Sequence, residues 1–203
     1  NNPIIAWHDS NSKGIMAFPV CKKGEDEYAI RRGVQDVCNI LGYNKMVFKS
    51  DQEPAIKSML DGIQRLCGDQ VIREESPVGE SQSNGEVENA VQKVQGMYRT
   101  FRSNLESNYG KKIESDHPAL VWLVRYVSLI MFWFEKGSDG RTPYSRIKGK
   151  EFNRKLAEFG ECVWYLLPGT KGKNKFDYRW EPGVWLGVRD ESGEVLIGTE
   201  KGV

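Results

Sequence analysis

The stretch VFKSDQEPAIKSM, Val47 to Met59, changes from one kind of local structure to another within three residues. Its start completes a short apolar run of strand type, KMVFKS. Its second half opens a helix, EPAIKSMLDGIQRL, with Pro54 in the first turn, where the missing N–H has no partner to lose. Asp51 stands at the junction, and two readings of it are open. In open α/β sheets ligands bind beyond the carboxyl ends of the strands, so a carboxylate there faces a functional edge. An Asp just ahead of a helix also caps the free N–H groups of its first turn.

The flanking segments place this step in an α/β arrangement. Upstream, PIIAWHD and GIMAFPV are β-rich runs joined by SNSKG, whose Ser, Asn and Gly supply turn chemistry, so Ile4 to Val20 predicts a hairpin. In GEDEYAIRRGVQDVCNILGY the residues Ala29, Ile30, Val34, Val37, Ile40 and Leu41 recur at helical spacing behind an acidic first turn, and Gly42 ends the helix. Downstream, QVIRE predicts another strand. Two strands, helix, strand, helix, strand is the order of a sheet with crossover connections.

Beyond that sheet, SPVGESQSNGE predicts a loop. A long helix follows, with Val87, Val91, Val94, Tyr98, Phe101 and Leu105 on one stripe. The next helix is expected to start behind an N-cap at Asp116, ahead of Pro118, and holds the apolar run Leu120 to Phe134. That run contains Arg125 and is shorter than the roughly 20 residues a bilayer requires, so it predicts a buried helix and no membrane span. Past Arg141 the composition shifts. ECVWYLLP, GVWLGVRD and EVLIGT are short aromatic strands punctuated by Gly and Pro, which predict a small β-barrel-like module over 157–203 behind a first domain over 1–150.

Lys and Arg total 29 against 28 Asp and Glu, so global charge gives no nucleic-acid signal and local clusters must supply one. Cys21, Cys38, Cys67 and Cys162 form no CxxC pair, and His8 and His117 lie far from any metal-ligand spacing. Free thiols in a reducing intracellular compartment are expected. The opening NNPIIAWHDS has neither a basic leader region nor an initiator Met and reads as part of a longer protein.

In order along the chain, KSDQEPAI, SNGEVENAV and GSDGRTPYSRIKGK resemble the catalytic core of retroviral and retrotransposon integrases, the D,D-35-E group of the ribonuclease H-like superfamily. The likeness is greatest to copia-type polyproteins, where such a core is followed by strands like FGECVWYLLP. It spans nearly the whole chain. It implies an α/β fold, a ribonuclease H-like mixed sheet flanked by helices, followed by a small SH3-like β module. It implies DNA integration, with metal-dependent transfer of element DNA ends into target DNA. By the same resemblance Asp51 is the second catalytic, metal-binding carboxylate and Glu88 the third.

Spacing leaves Glu86 and Glu88 both open, since 34 residues lie between Asp51 and Glu86 and 36 between Asp51 and Glu88. Glu88 shares a helix face with Gln92, Gln95, Arg99 and Arg102, which suits a metal site with a phosphate backbone along the helix, although a solvated helix surface has the same pattern. The implied cofactor is Mg²⁺ or Mn²⁺ in a two-ion site, because ions about 3.5–4 Å apart activate the attacking oxygen and stabilise the leaving one, and hard ions take oxygen ligands. Implied partners are element and target DNA, with a homo-oligomer in the full-length protein and the nucleus as place of action.

Candidate phosphate contacts are Lys93, Arg99 and Arg102 on the long helix and Arg146, Lys148 and Lys150 in RIKGKEFNRK, a run that also reads as a solvated linker. KGKNKFDYRW, with Lys171, Lys173, Lys175 and Arg179 against Asp177, is a second basic stretch, open between loop and DNA contact. Five of the six Trp residues sit in apolar runs and are expected in the core, with Trp180 at the surface.

The family's first acid lies on a strand ahead of two more that precede the first helix. Only two strands precede it here, so the first strand and its Asp are expected upstream of Asn1, and the chain as it stands is expected to be inactive. Asp9 is the nearby substitute, at a position where turns favour Asp for its local hydrogen bonds. Glu53 stands where many relatives have Gly. The alternative is a non-catalytic nucleic-acid-binding remnant of a retrotransposon polyprotein, and a third reading is a ribonuclease H-like nuclease with another substrate.

Overall fold

The computed structural model describes residues 3–50, 53–75, 85–167, 174, 176 and 178–203. β1 (Ile4–His8) and β2 (Ile15–Pro19) form the expected antiparallel hairpin, with Ala6 opposite Ala17. All five residues of β2 are buried, because helices cover both of its faces. On one side Ile5, Phe18 and Val20 pack with Ala29, Met59, Leu60 and Ile63. On the other, Ile15 and Ala17 meet Ala90, Val94, Leu123 and Val127.

Helix α1 (Glu27–Gln35) starts behind Asp26, whose carboxylate accepts the Ala29 N–H at 3.0 Å. It continues into a π-helical turn, Asp36–Leu41, which the apolar spacing did not signal. That turn ends at Gly42, which is left-handed at φ 65° and donates its N–H to the Val37 carbonyl at 2.9 Å. Strand β3 (Met46–Ser50) leads to α2 (Pro54–Cys67) and then, through a short 3₁₀ turn, to β4 (Val71–Glu75), which lies parallel to β3. α1 and α2 cross closely at reciprocal glycines: a Cβ on Gly33 would lie 2.3 Å from Ile63 Cδ1, and one on Gly62 would lie 2.4 Å from Ile30 Cδ1.

The one mixed sheet expected is divided. Among the described residues, β1–β2 and β3–β4 are separate two-stranded ladders. The two are joined by side chains instead, with the rings of Trp7 on β1 and Phe48 on β3 5.4 Å apart. The predicted loop of SPVGESQSNGE falls at 76–84, outside the described residues.

α3 (Gly85–Tyr109) and α4 (Pro118–Phe134) form the second helical layer. On α3, Ala90, Val94 and Leu105 are buried, whereas Val87 at the end of the expected stripe is exposed. The N-cap of α4 is His117 and not Asp116: with Pro118 in the first turn, the capping position falls to the residue before it, and His117 Nδ1 accepts the Ala119 N–H at 3.2 Å. No helix among the described residues is long and apolar enough to cross a membrane. The short α5 (Pro143–Lys148) is held by a capping box between Thr142 and Ser145.

β5 (Cys162–Leu166), β6 (Trp180–Val188) and β7 (Val195–Gly198) make a three-stranded antiparallel sheet. Its pairing shifts between Trp185 and Gly187, where Gly187 takes φ 121° and passes close under the Tyr126 ring. This sheet shares the core. Leu186 joins the α3–α4 cluster, and Trp185 and Val188 pack with Met16, Ile40, Phe132 and Trp133. At its far end the sheet projects beyond the core, so Trp164, expected inside, is 68% exposed, alongside Leu166 and Trp180. Trp122 on α4 also reaches the surface.

Candidate metal and nucleic-acid site

The first turn of α3 lies against the turn that joins β1 to β2. Asp9 organises that turn, accepting the Ser12 N–H at 2.9 Å, the Ser12 hydroxyl, the Asn11 N–H at 3.3 Å and the Tyr43 hydroxyl at 2.7 Å. Backbone bonds from Lys13 N–H to the Asp9 carbonyl and from Asp9 N–H to the Gly14 carbonyl close it, with Lys13 left-handed at φ 63°. The carboxylate is thus used locally, as Asp is in turns.

The two acids left open by spacing have different surroundings. Glu86 accepts the Ser10 hydroxyl at 2.6 Å and lies 3.3 Å from both Lys13 Nζ and His8 Nδ1. The Ser10 hydrogen bond, helped by Lys13 and His8, holds the Glu86 carboxyl below its usual range. Burial lowers the His8 imidazole below its usual value in spite of Glu86, so it is neutral at pH 7. Glu88, in the same first turn but about half a turn further round the helix, is exposed and has no ion pair or hydrogen bond among the described residues. Its carboxylate is the one left open to a ligand. A hard divalent ion takes oxygen donors of this type.

Asp51 lies outside the described residues. Ser50 ends β3, and the N-cap position of α2 is Glu53, which pairs with Lys23 at 3.0 Å. Among the described residues no group of three or more His, Cys, Asp or Glu side chains is arranged to hold a metal ion.

The candidate phosphate contacts divide in the same way. Arg99 and Lys150 are exposed and make no ion pair or hydrogen bond among the described residues. Lys148 is exposed and reaches the Asn39 carbonyl at 3.4 Å. Lys93 pairs with Glu135 at 2.6 Å, an exposed contact that is cheap to exchange for another anion. Arg102 and Arg146 are structural ties. Arg102 donates to Glu106 at 2.9 Å and to the Ile113 carbonyl at 2.6 Å, and Arg146 to the Ser12 carbonyl at 2.7 Å and to Asp139 at 2.5 Å. In the second basic stretch, Lys171, Lys173, Lys175 and Asp177 lie outside the described residues, while Phe176, Tyr178 and Arg179 are exposed.

The network of His8, Ser10, Lys13 and Tyr43 around Asp9 and Glu86 was not foreseen. Its only sequence signal was the polar turn composition, since its partners come from three separate segments, the hairpin turn, Tyr43 and Glu86.

The fold is similar to that of a chain in the cryo-electron microscopy structure of the simian T-cell lymphotropic virus intasome in complex with PP2A regulatory subunit B56 gamma. The TM-score is 0.52 at 14% sequence identity, over 96% of this chain and 69% of that one. No family model matches the chain, and neither does any curated protein. The likeness establishes a mixed α/β fold shared with a chain of a retroviral intasome.

Proposed function

We propose that the chain is the core of a retroelement DNA integrase, of copia-like type, which transfers element DNA ends into target DNA. The observation that supports this most is the fold likeness to an intasome chain along 96% of the residues, in a sequence whose acidic motifs run in the integrase order. Asp51 and Glu88 would hold Mg²⁺ or Mn²⁺, together with a third acid from a strand ahead of Asn1. The bound ions would activate the attacking oxygen and stabilise the leaving one.

The chain's own residues prepare the site. Glu86 is tied to the hairpin turn and fixes the start of α3, which leaves Glu88 free to serve as ligand. Arg99, on the same exposed face, and Lys148 and Lys150 would meet phosphates, and Lys93 would exchange Glu135 for one. The divided sheet is where the missing strand would enter: β1 and β3 each have an edge that no described strand pairs, and an added strand there would satisfy both. Assembly as a homo-oligomer in the nucleus belongs to this reading.

The test is strand transfer by a chain extended upstream to restore that strand. Mg²⁺-dependent joining that Glu88→Gln abolishes supports the proposal. Joining retained in that variant removes Glu88 from the mechanism. DNA binding without any joining by the extended chain favours the alternative, a nucleic-acid-binding remnant.

A further inference from the structure

Two thiols meet at one end of the α1–α2 layer. Cys38 Sγ, inside the π-helical turn, lies 3.4 Å from Cys67 Sγ, and also 3.4 Å from Gln70 Oε1. Both cysteines are half-buried and reduced, whereas Cys21 and Cys162 are exposed. A disulfide needs the sulfurs at about 2.05 Å, a closure of about 1.4 Å. The backbone on each side allows it. Cys67 is the last residue of α2, followed by Gly68 at φ 58°, where a Cβ would meet nothing within 4 Å. Cys38 sits in a wide helical turn of a kind that recurs at functional positions.

We infer that Cys38 and Cys67 are a redox-sensitive pair that a two-electron oxidant of the peroxide class converts to a disulfide, pinning the π-helical turn to the end of α2. In the balanced step, one thiol is deprotonated and its thiolate attacks a peroxide oxygen, giving a sulfenic acid and releasing water once protonated. The second sulfur then displaces the sulfenic hydroxyl as a second water, so that two thiols and one peroxide yield one disulfide and two waters. The two electrons come from the sulfurs. Gln70 links the pair to the hairpin turn, because its side-chain amide also donates to the Tyr43 carbonyl at 2.7 Å, and Tyr43 holds Asp9. Oxidation removes the Cys38 S–H from Gln70. Burial, with Cys38 beside it, pushes the Cys67 thiol up to about 12, so Cys67 is protonated at neutral pH and its oxidation speeds up as pH rises. This inference is independent of the integrase reading.

The test uses the full chain with Cys21→Ser and Cys162→Ser, which removes the two exposed thiols and nothing buried. Treatment with hydrogen peroxide should lower the mass by about 2 Da, abolish alkylation of both remaining thiols, yield one linked peptide containing positions 38 and 67, and reverse on reduction. The unfolding temperature should rise by several degrees, since the link constrains the unfolded chain. Cys38→Ala or Cys67→Ala added singly should give no linked peptide. The inference is overturned if both thiols remain alkylatable, or if each gains oxygen atoms with no linked peptide. Should the double serine variant not fold, peptide mapping of the oxidised native chain reads the same linkage, and a link between any other cysteines overturns it equally.

Discussion

The guanidinium group of Arg125, in the middle of α4, donates to the carboxylate of Asp190 in the β6–β7 turn, 65 residues further along the chain. Arg32 on α1 donates to the same carboxylate at 2.5 Å, and both guanidinium groups also reach Asp36 at 2.9 Å. Four charges from α1, the π-helical turn, α4 and the β module therefore meet in a mostly buried site. Removing one member of such a group leaves its partners charged and unpaired, which costs more than the pairing itself contributes. Asp190→Ala is expected to destabilise the chain by about 3–5 kcal/mol. The check is urea unfolding, where the midpoint falls; an unchanged midpoint would show that Glu191, 3.1 Å from Arg32, substitutes fully.

The same cluster sets a pH dependence. Burial works to raise the Asp190 carboxyl, but Arg125 and Arg32 outweigh it and hold it below the usual carboxylate range. A depressed folded-state value means that the stabilisation is complete above the unfolded value of about 4 and disappears as pH falls through the folded one. Stability should decline steeply below pH 4, and Asp190→Asn should flatten that decline. Parallel curves for the two proteins would count against the assignment.

Tyr43→Phe removes two hydrogen bonds of one hydroxyl, one donated to Asp9 and an exposed one accepted from the Asn11 side-chain amide at 3.1 Å. The substitution removes the hydroxyl that Asp9 accepts at 2.7 Å and leaves the Ser12 contacts in place. A hydrogen bond to a charged acceptor contributes about 1.5–3 kcal/mol, so a loss near 1.5 is expected at this half-buried position. Hydrogen exchange should quicken at the Ser12 and Lys13 amides; unchanged rates there would place the hydroxyl outside the turn's support.

The crossing of α1 and α2 depends on glycine at two positions. Gly62→Val would drive a methyl group into Ile30, behind which the core is already filled. Overpacking of this kind costs about 1–3 kcal/mol, which exceeds the modest helix-propensity gain of replacing Gly by a β-branched residue. Thermal unfolding reads the result, and an equal or higher midpoint would mean that the helices separate without penalty.

DNA binding separates free cations from structural ones. Arg99→Ala and Lys150→Ala should each weaken binding to duplex DNA and reduce the salt dependence by about one counterion, measured by fluorescence anisotropy across salt concentrations. Arg102→Ala should instead act on stability, through Glu106 and Ile113. A binding defect in Arg102→Ala with stability intact would reverse that division.

Local signals carried the reading where one segment determines its own structure. The alternation and turn residues of Ile4–Val20, the Pro54 helix start and the Gly42 stop are all present as read, because each depends on residues within a turn of one another. The π-helical turn is a one-residue change in hydrogen bonding that apolar spacing does not register. Trp164 lies in an apolar run yet faces solvent, because strand composition tells how a sheet is made and not which end of it is covered. The Asp36–Arg125 tie spans 89 residues, beyond any local pattern. At the candidate site, sequence and resemblance named Glu86 and Glu88 without separating their surroundings; only the packing of α3 on the hairpin turn distinguishes an engaged carboxylate from an open one.

Trp185, Leu186 and Val188 sit among the side chains of α4 and the hairpin, so the position near 157 is not a seam along which the polypeptide can be divided. A gene ending there would encode protein with raw apolar walls, prone to inclusion bodies. Calorimetry of the intact chain should accordingly record one endotherm, both halves melting together.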